Sequence, residues 1–164
     1  MKNIAVLTSG GDSPGMNAAI RSIVRTAYQK NTKVQGIEYG YKGLIENNFI
    51  KLSPYNVENI IHIGGTLLKS ARSKEFYKKE GRKIAYNNLI KNNIDGLIIL
   101  GGDGSLTGAS VFTDEYNFPV IGIPCTIDND IYGSDYSIGF ATARETIVSA
   151  IDKIRDTAFS HDRI

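Results

Sequence analysis

Leu97–Ser105, LIILGGDGS, is the stretch whose reading decides the fold. Four apolar residues, Leu97 to Leu100, run into two glycines, an aspartate, a third glycine and a serine. A short Leu/Ile run of this kind suits a strand buried on both faces of a parallel sheet. Gly101, Gly102 and Gly104 let the backbone turn tightly and come close to a ligand, because no Cβ stands in the way. Ser105 is a good helix N-cap, and Leu106, Ala109 and Phe112 follow at helical spacing. Strand, glycine turn and helix N-terminus together make an anion site, where free N–H groups and the positive end of the helix dipole meet. Asp103 in that spot would repel phosphate unless a divalent cation lay between them. The stretch therefore reads as a Mg²⁺–nucleotide site centred on Asp103.

The 164 residues suffice for one domain with a real core. An apolar content of 41% and a charged content of 22% fit a soluble globular chain. A net charge of +2 gives no electrostatic case for a nucleic-acid or membrane partner. Cys125 is the single cysteine, so no intrachain disulfide can form and a reducing, cytoplasmic compartment is expected. No apolar run approaches the ~20 residues of a membrane span. The start, MKNIAVLTSGG, has too short an apolar stretch for a secretion signal and reads as a first strand.

Outward from the central stretch, strands and helices alternate. Ile4–Leu7 is a strand running into Thr8–Gly15, TSGGDSPG, and then a helix with Ile20, Ile23, Val24, Ala27 and Tyr28 on one face. Val34–Tyr39 is a second strand. Gly40, Tyr41 and Gly43 read as a turn, and Phe49–Leu52 as a short strand. Ser53-Pro54 opens a small helix through about Ile61. Gly64-Gly65-Thr66 is a turn leading to Ser70-Ala71-Arg72, and residues 74–80, mostly charged, read as exposed. Ile84, Leu89 and Ile90 mark a helix ending near Asn93, strand 96–100 follows, and the next helix ends by Tyr116. Pro119–Ile123 is a strand running into Pro124-Cys125-Thr126-Ile127-Asp128-Asn129-Asp130. The last helix covers roughly Ala141–Arg155, with Ala143, Ile147, Ile151 and Ile154 on one stripe. The alternation predicts an α/β fold, a doubly wound, mainly parallel sheet with helices on both faces. The loops that begin at Ser9, Gly101 and Pro124 then meet at one sheet edge, where such folds bind ligands.

The segments LTSGGDSPGMNAAIR (7–21), GGT…SAR (64–72), GGDGS (101–105), PCTIDND (124–130) and IDKIRDT…SHDRI (151–164) resemble the N-terminal half of bacterial ATP-dependent 6-phosphofructokinases. GGDGS alone is shared with other kinases, whereas the first segment joined to TIDND is specific. The resemblance implies a Rossmann-like ATP-binding, catalytic domain over residues 1–164, with the sugar-phosphate-binding half of the family's chain outside this sequence. It implies transfer of phosphate from MgATP to the 1-hydroxyl of fructose 6-phosphate, a glycolytic step, in a homotetramer when the chain has its family's length. Asp128 is the implied base for that hydroxyl, Thr126 and Ile127 are implied substrate contacts, and Arg72 is an implied bridge to the transferring phosphoryl group. Asp103 is the implied Mg²⁺ ligand, with Asp130 a second, indirect helper. Gly11, Arg72, Ser73, Gly102, Gly104, Ser105 and Gly108 are the implied nucleotide contacts. Arg163 corresponds to an arginine that reaches a neighbouring subunit's sugar phosphate.

Arg21 and Arg25, with Tyr55, Asn59 and Arg155, match an effector site for ADP or phosphoenolpyruvate. Pro54 stands there in place of a further arginine. In this resemblance Cys125 stands where ATP-dependent members usually have glycine and pyrophosphate-dependent ones usually have lysine. Gly104 favours ATP, since the pyrophosphate-dependent relatives carry aspartate at that position. Two other readings compete: a pyrophosphate-dependent phosphofructokinase, and a non-catalytic nucleotide-binding module.

Overall fold

The protein is described by a computed structural model over residues 1–163; Ile164 lies outside the described residues. Six strands, β1 (Asn3–Ser9), β2 (Lys33–Ile37), β3 (Phe49–Leu52), β4 (Gly96–Gly101), β5 (Val120–Thr126) and β6 (Ile138–Gly139), form one sheet in the order β3-β2-β1-β4-β5-β6. All pairings are parallel except β2 with the edge strand β3. This is the doubly wound order, with the winding direction reversing between β1 and β4. Helices α1 (Met16–Gln29), α2 (Gly40–Glu46), α3 (Lys79–Lys91), α4 (Asp103–Tyr116) and α5 (Phe140–Ser160) connect or follow the strands.

Successive strand residues point to opposite faces, and the two cores follow that period. Ala5, Leu7, Leu97 and Ile99 pack with Tyr41 and Leu44 of α2, Ala85 and Leu89 of α3, and Ala109 and Phe112 of α4. Val6, Leu100 and Cys125 face the other side, against Met16, Ile20, Val24 and Ala27 of α1. The near-continuous burial along β1 and β4 is what their unbroken apolar runs predict.

Several local readings differ from the structure. Gly40, Tyr41 and Gly43 begin α2 rather than a turn, because Tyr41 and Leu44 have core to bury. The helix expected after Ser53 is a single 3₁₀ turn, Pro54–Val57. Strand β2 ends at Ile37, not Tyr39, which takes a left-handed φ of 63° ahead of α2. Strand β5 continues through Pro124 and Cys125 to Thr126, since β6 pairs with Cys125 and Thr126. Gly102, not Ser105, is the N-cap of α4; the extended glycine lets Asp103 take the first helical position, where the dipole favours a carboxylate. Tyr28, Ile84 and Ile90 are exposed despite their helical spacing. The final helix is longer than expected, and Ile147, Ile151 and Ile154 on its stripe stand exposed, with Ala143 its one buried residue among those described.

Candidate active site

The parallel register aligns the starts of the three loops. Ser9 lies beside Gly101, and Gly101 beside Pro124, at the carboxyl ends of β1, β4 and β5. Gly101 allows this close approach: a Cβ there would sit 2.6 Å from the Ser9 carbonyl oxygen and 2.8 Å from Ser105 Cβ. Above this line opens a cleft of about 1020 Å³. Gly11, Asp12, Arg72 and Ser73 line one part of it. Gly102, Asp103, Gly104, Ser105 and Gly108 line another, and Thr126, Ile127, Asp128 and Asp130 a third. Residues separated by more than a hundred positions thus face one space.

At the α4 end, intrahelical bonding starts with the Ser105 and Leu106 amides, which donate to the Gly102 carbonyl at 3.0 and 3.1 Å. The amides of Asp103 and Gly104 precede it and are free donors of a helix N-terminus. A Cβ added at Gly104, or at Gly11, meets no heavy atom within 4 Å, so nothing in the chain itself demands glycine there. Gly108 differs: a Cβ would come 3.4 Å from Phe76 and 3.5 Å from the Tyr41 hydroxyl, so packing constrains it as well. Ser105 is buried, and its carbonyl accepts the Tyr41 hydroxyl at 2.6 Å. Tyr41 stacks on Phe76 at 3.7 Å between ring centroids, and both rings line the cleft. Burial pushes the Tyr41 phenol above its ordinary range.

Asp128 and Asp130 are exposed, on the loop between β5 and β6. The loop is held by its neighbours. The Thr126 hydroxyl accepts the Asp128 N–H at 3.1 Å. Asn129, at a left-handed φ of 53°, accepts the Ser137 N–H at 2.8 Å and donates to the Asp135 carbonyl at 3.2 Å. The Ser137 hydroxyl donates to the Thr126 carbonyl at 2.7 Å. Ser13, fully buried, donates to the Ile138 carbonyl at 2.9 Å and so ties the first loop to this one. Gly139 accepts that proximity at φ 104°, where a Cβ would meet Ser13 and Pro14. Sequence reasoning missed Asn129, Ser137 and Ser13. The signal for Asn129 was its place inside TIDND, where an asparagine tolerates the left-handed turn.

Of the cleft's cations, Arg82 is already occupied: it forks onto Glu115 at 2.7 Å and donates to the Phe76 and Tyr77 carbonyls at 3.0 and 2.8 Å. That guanidinium holds the Glu115 carboxyl below its ordinary range. Arg72 is exposed and has no carboxylate within ion-pair distance among the described residues. The Ser73 hydroxyl accepts the Phe76 N–H at 3.3 Å. Cys125 is buried beneath the cleft, and burial pushes its thiol up to about 12, so at neutral pH it is an inert neutral group.

The remaining sequence-derived residues stand apart from the cleft lining. Arg21 and Arg25 lie on α1, and Tyr55 and Asn59 on or beside the 3₁₀ turn that packs against α1. Arg21 Nε is buried with no hydrogen-bond partner among the described residues. Arg155, on α5, pairs with Asp152 and Asp156 of its own helix at 3.2 and 3.4 Å. Arg163 is exposed after the end of α5. No group of three or more His, Cys, Asp or Glu side chains converges on a metal position among the described residues. No described helix is long and apolar enough to cross a membrane.

Fold and site together define a doubly wound α/β protein whose ligand cleft lies at the carboxyl ends of its parallel strands. The phosphofructokinase family model matches residues 3–164, and the chain belongs to that family. It is 56% identical over 164 residues to the ATP-dependent 6-phosphofructokinase 2 of Bacteroides thetaiotaomicron, covering 100% of this chain and 50% of that one. It is 57% identical over 163 residues to the ATP-dependent 6-phosphofructokinase of Oceanobacillus iheyensis, covering 99% and 51%. The chain thus spans about half the length of the curated relatives it matches. The phosphofructokinase of Saccharomyces cerevisiae superposes with a TM-score of 0.93 at 41% identity, over 98% of this chain and 25% of that one. A pyrophosphate-dependent phosphofructokinase from Marinobacter aquaeolei superposes at 0.76 and 24% identity, over 93% and 42%, a likeness of fold alone.

Proposed function

We propose that this chain carries the MgATP site and the proton-accepting carboxylate of an ATP-dependent 6-phosphofructokinase, which phosphorylates fructose 6-phosphate on its 1-hydroxyl. The observation that carries the reading is the shared cleft: the N-terminus of α4, Arg72, which has no ion pair among the described residues, and the exposed Asp128 face one space. Phosphoryl transfer asks for positioning and charge neutralisation, and these groups supply both. The Asp103 and Gly104 amides, with Gly11 opposite, cradle phosphate oxygens. The Arg72 guanidinium bridges the phosphoryl group as it moves. Asp128, held by the Thr126 hydroxyl and the Asn129 turn, accepts the proton of the attacking hydroxyl.

The donor set fits Mg²⁺. Asp12, Asp103, Asp128 and Asp130 put four carboxylates in a cleft meant for a triphosphate, and among the described residues no three acidic, His or Cys groups cage an ion by themselves. Mg²⁺ keeps several waters and is held by one or two carboxylates plus substrate phosphates. Asp103 would hold it, and the ion would neutralise charge on the phosphates. Gly104 and the distance in sequence from pyrophosphate-dependent structures favour ATP as donor. The same reading includes a cytoplasmic homotetramer in which Arg163 serves a neighbouring subunit. It also includes an effector site for ADP or phosphoenolpyruvate built from Arg21, Arg25, Tyr55, Asn59 and Arg155.

Calorimetry tests the site. The chain is expected to bind ATP only with Mg²⁺ present, and to bind MgATP in preference to magnesium pyrophosphate. Asp103→Ala should lose that binding, while Asp128→Ser keeps it. In a chain extended to its relatives' length, Asp128→Ser should abolish production of fructose 1,6-bisphosphate. Binding unaffected by Asp103→Ala, or near-normal turnover with Asp128→Ser, would contradict the assignment.

A further inference from the structure

We propose that Asn17 is a positioning residue for Arg72: its buried side chain clamps the irregular segment 63–73 against α1 and so fixes where the Arg72 guanidinium stands in the cleft. The proposal rests on the nucleotide reading of that cleft.

Segment 63–73 contains neither helix nor strand, so no ladder of backbone bonds holds it. Side chains do most of the holding. Asn17, only 3% exposed, uses both arms of its carboxamide: Nδ2 donates to the Ile63 carbonyl at 3.0 Å, and Oδ1 accepts the Leu67 N–H at 2.7 Å. Thr8, fully buried on β1, donates to the Lys69 carbonyl at 2.7 Å and accepts the Thr66 hydroxyl at 3.1 Å. Ser70 donates to the Gly10 carbonyl. The Asn17, Thr8 and Gly10 anchors lie on α1, on β1 and on the loop after it, the body that also carries Gly11. On the other side, the Tyr39 N–H donates to the Leu68 carbonyl at 2.9 Å, Lys69 pairs with Glu38 at 3.3 Å, and Ser73 accepts the Phe76 N–H at 3.3 Å. Leu68, fully buried, fixes the middle of the segment in the core.

Between the Ser70 and Ser73 anchors, Arg72 is exposed and has no carboxylate within ion-pair distance among the described residues. Its place is therefore set by the backbone that carries it rather than by partners of its own. A long, flexible cation held that way acts on a phosphoryl group only as well as its backbone is fixed. Of the anchors, Asn17 alone makes two bonds to the segment's backbone, and it is the one whose loss leaves a part-buried N–H and a part-buried carbonyl unpaired together.

A double-mutant cycle on MgATP affinity separates positioning from bulk stability. Asn17→Ala is expected to weaken MgATP binding about tenfold in the otherwise unchanged chain, and less than about twofold when Arg72 is already alanine. Asn17→Asp, which keeps the acceptor for the Leu67 N–H, should fall between. Amide hydrogen exchange should quicken at 67–72 in Asn17→Ala while the β1 and β4 amides keep their protection. An equal loss in both Arg72 backgrounds would overturn the proposal. If Asn17→Ala does not fold, Ser70→Ala, which removes only the bond to Gly10, is put through the same cycle with the same two outcomes. Should the unmodified chain bind no MgATP, the nucleotide reading fails by itself. The clamp then stands or falls on exchange, and unchanged protection at 67–72 overturns it.

Discussion

A Cβ at Gly104 meets no neighbour within 4 Å, and the residue sits in the first turn of α4, where a negative side chain favours the helix. Gly104→Asp therefore separates what the fold needs from what a ligand needs. The thermal midpoint should hold or rise slightly, while MgATP affinity falls by at least about tenfold as a carboxylate meets the phosphates. A loss of stability with affinity intact would place the glycine's role in packing. Cys125 makes the opposite case, a side chain at the cleft floor whose setting is wholly structural. Its thiol ionises near 9.0 when unfolded and is pushed up to about 12 by burial. Between those values the folded chain keeps a proton that the unfolded chain has lost. Stability is thus full below about pH 9 and declines as pH rises, by up to about 1.4 kcal/mol per pH unit. Buried Tyr41 adds to the decline in the same sense. Cys125→Ala should flatten the fall measured by denaturant titration between pH 9 and 11; an unchanged slope would count against the burial argument.

At the scale of elements, α1 and the 3₁₀ turn Pro54–Val57 lie together, with Arg21 and Arg25 on one and Tyr55 on the other. Pro54 removes a charge from that pair of elements. Phosphoenolpyruvate should bind weakly there, Pro54→Arg should tighten it severalfold at low salt, and Arg25→Ala should abolish it. A titration with no response in any of the three chains would remove the effector reading. The elements themselves were largely legible. The apolar runs of β1 and β4 and the glycine turns after them encode a buried parallel sheet, and a parallel sheet puts loop starts on one edge. The alignment of Ser9, Gly101 and Pro124 follows from that topology. What sequence periodicity does not carry is segment 63–73. Its course depends on buried hydroxyls and one carboxamide bonding to backbone atoms about 45 to 60 positions away, an arrangement with no repeat to read. The identity of the α4 N-cap was missed for a related reason: glycine caps through its own extended backbone and leaves the serine free to pack.

At the scale of the molecule, two packed faces and one bare helix coexist. Helices α1 to α4 each place residues such as Ile20, Leu44, Leu89 and Phe112 in the two cores, while α5 shows Ile147, Val148, Ile151, Ile154 and Phe159 to solvent. The winding reversal between β1 and β4 sets the cleft at the middle of the sheet, and α5 contributes none of its described lining residues. The account depends on segments from four parts of the chain surrounding one metal-bound triphosphate. Amide NMR of the chain titrated with ATP and substoichiometric Mn²⁺ reads this directly, because the paramagnetic ion broadens only nearby signals. The account predicts joint broadening at 10–12, 71–73, 102–105 and 126–130, with α5 from Ile147 onward untouched. Broadening confined to one of those segments, or centred elsewhere, would contradict it.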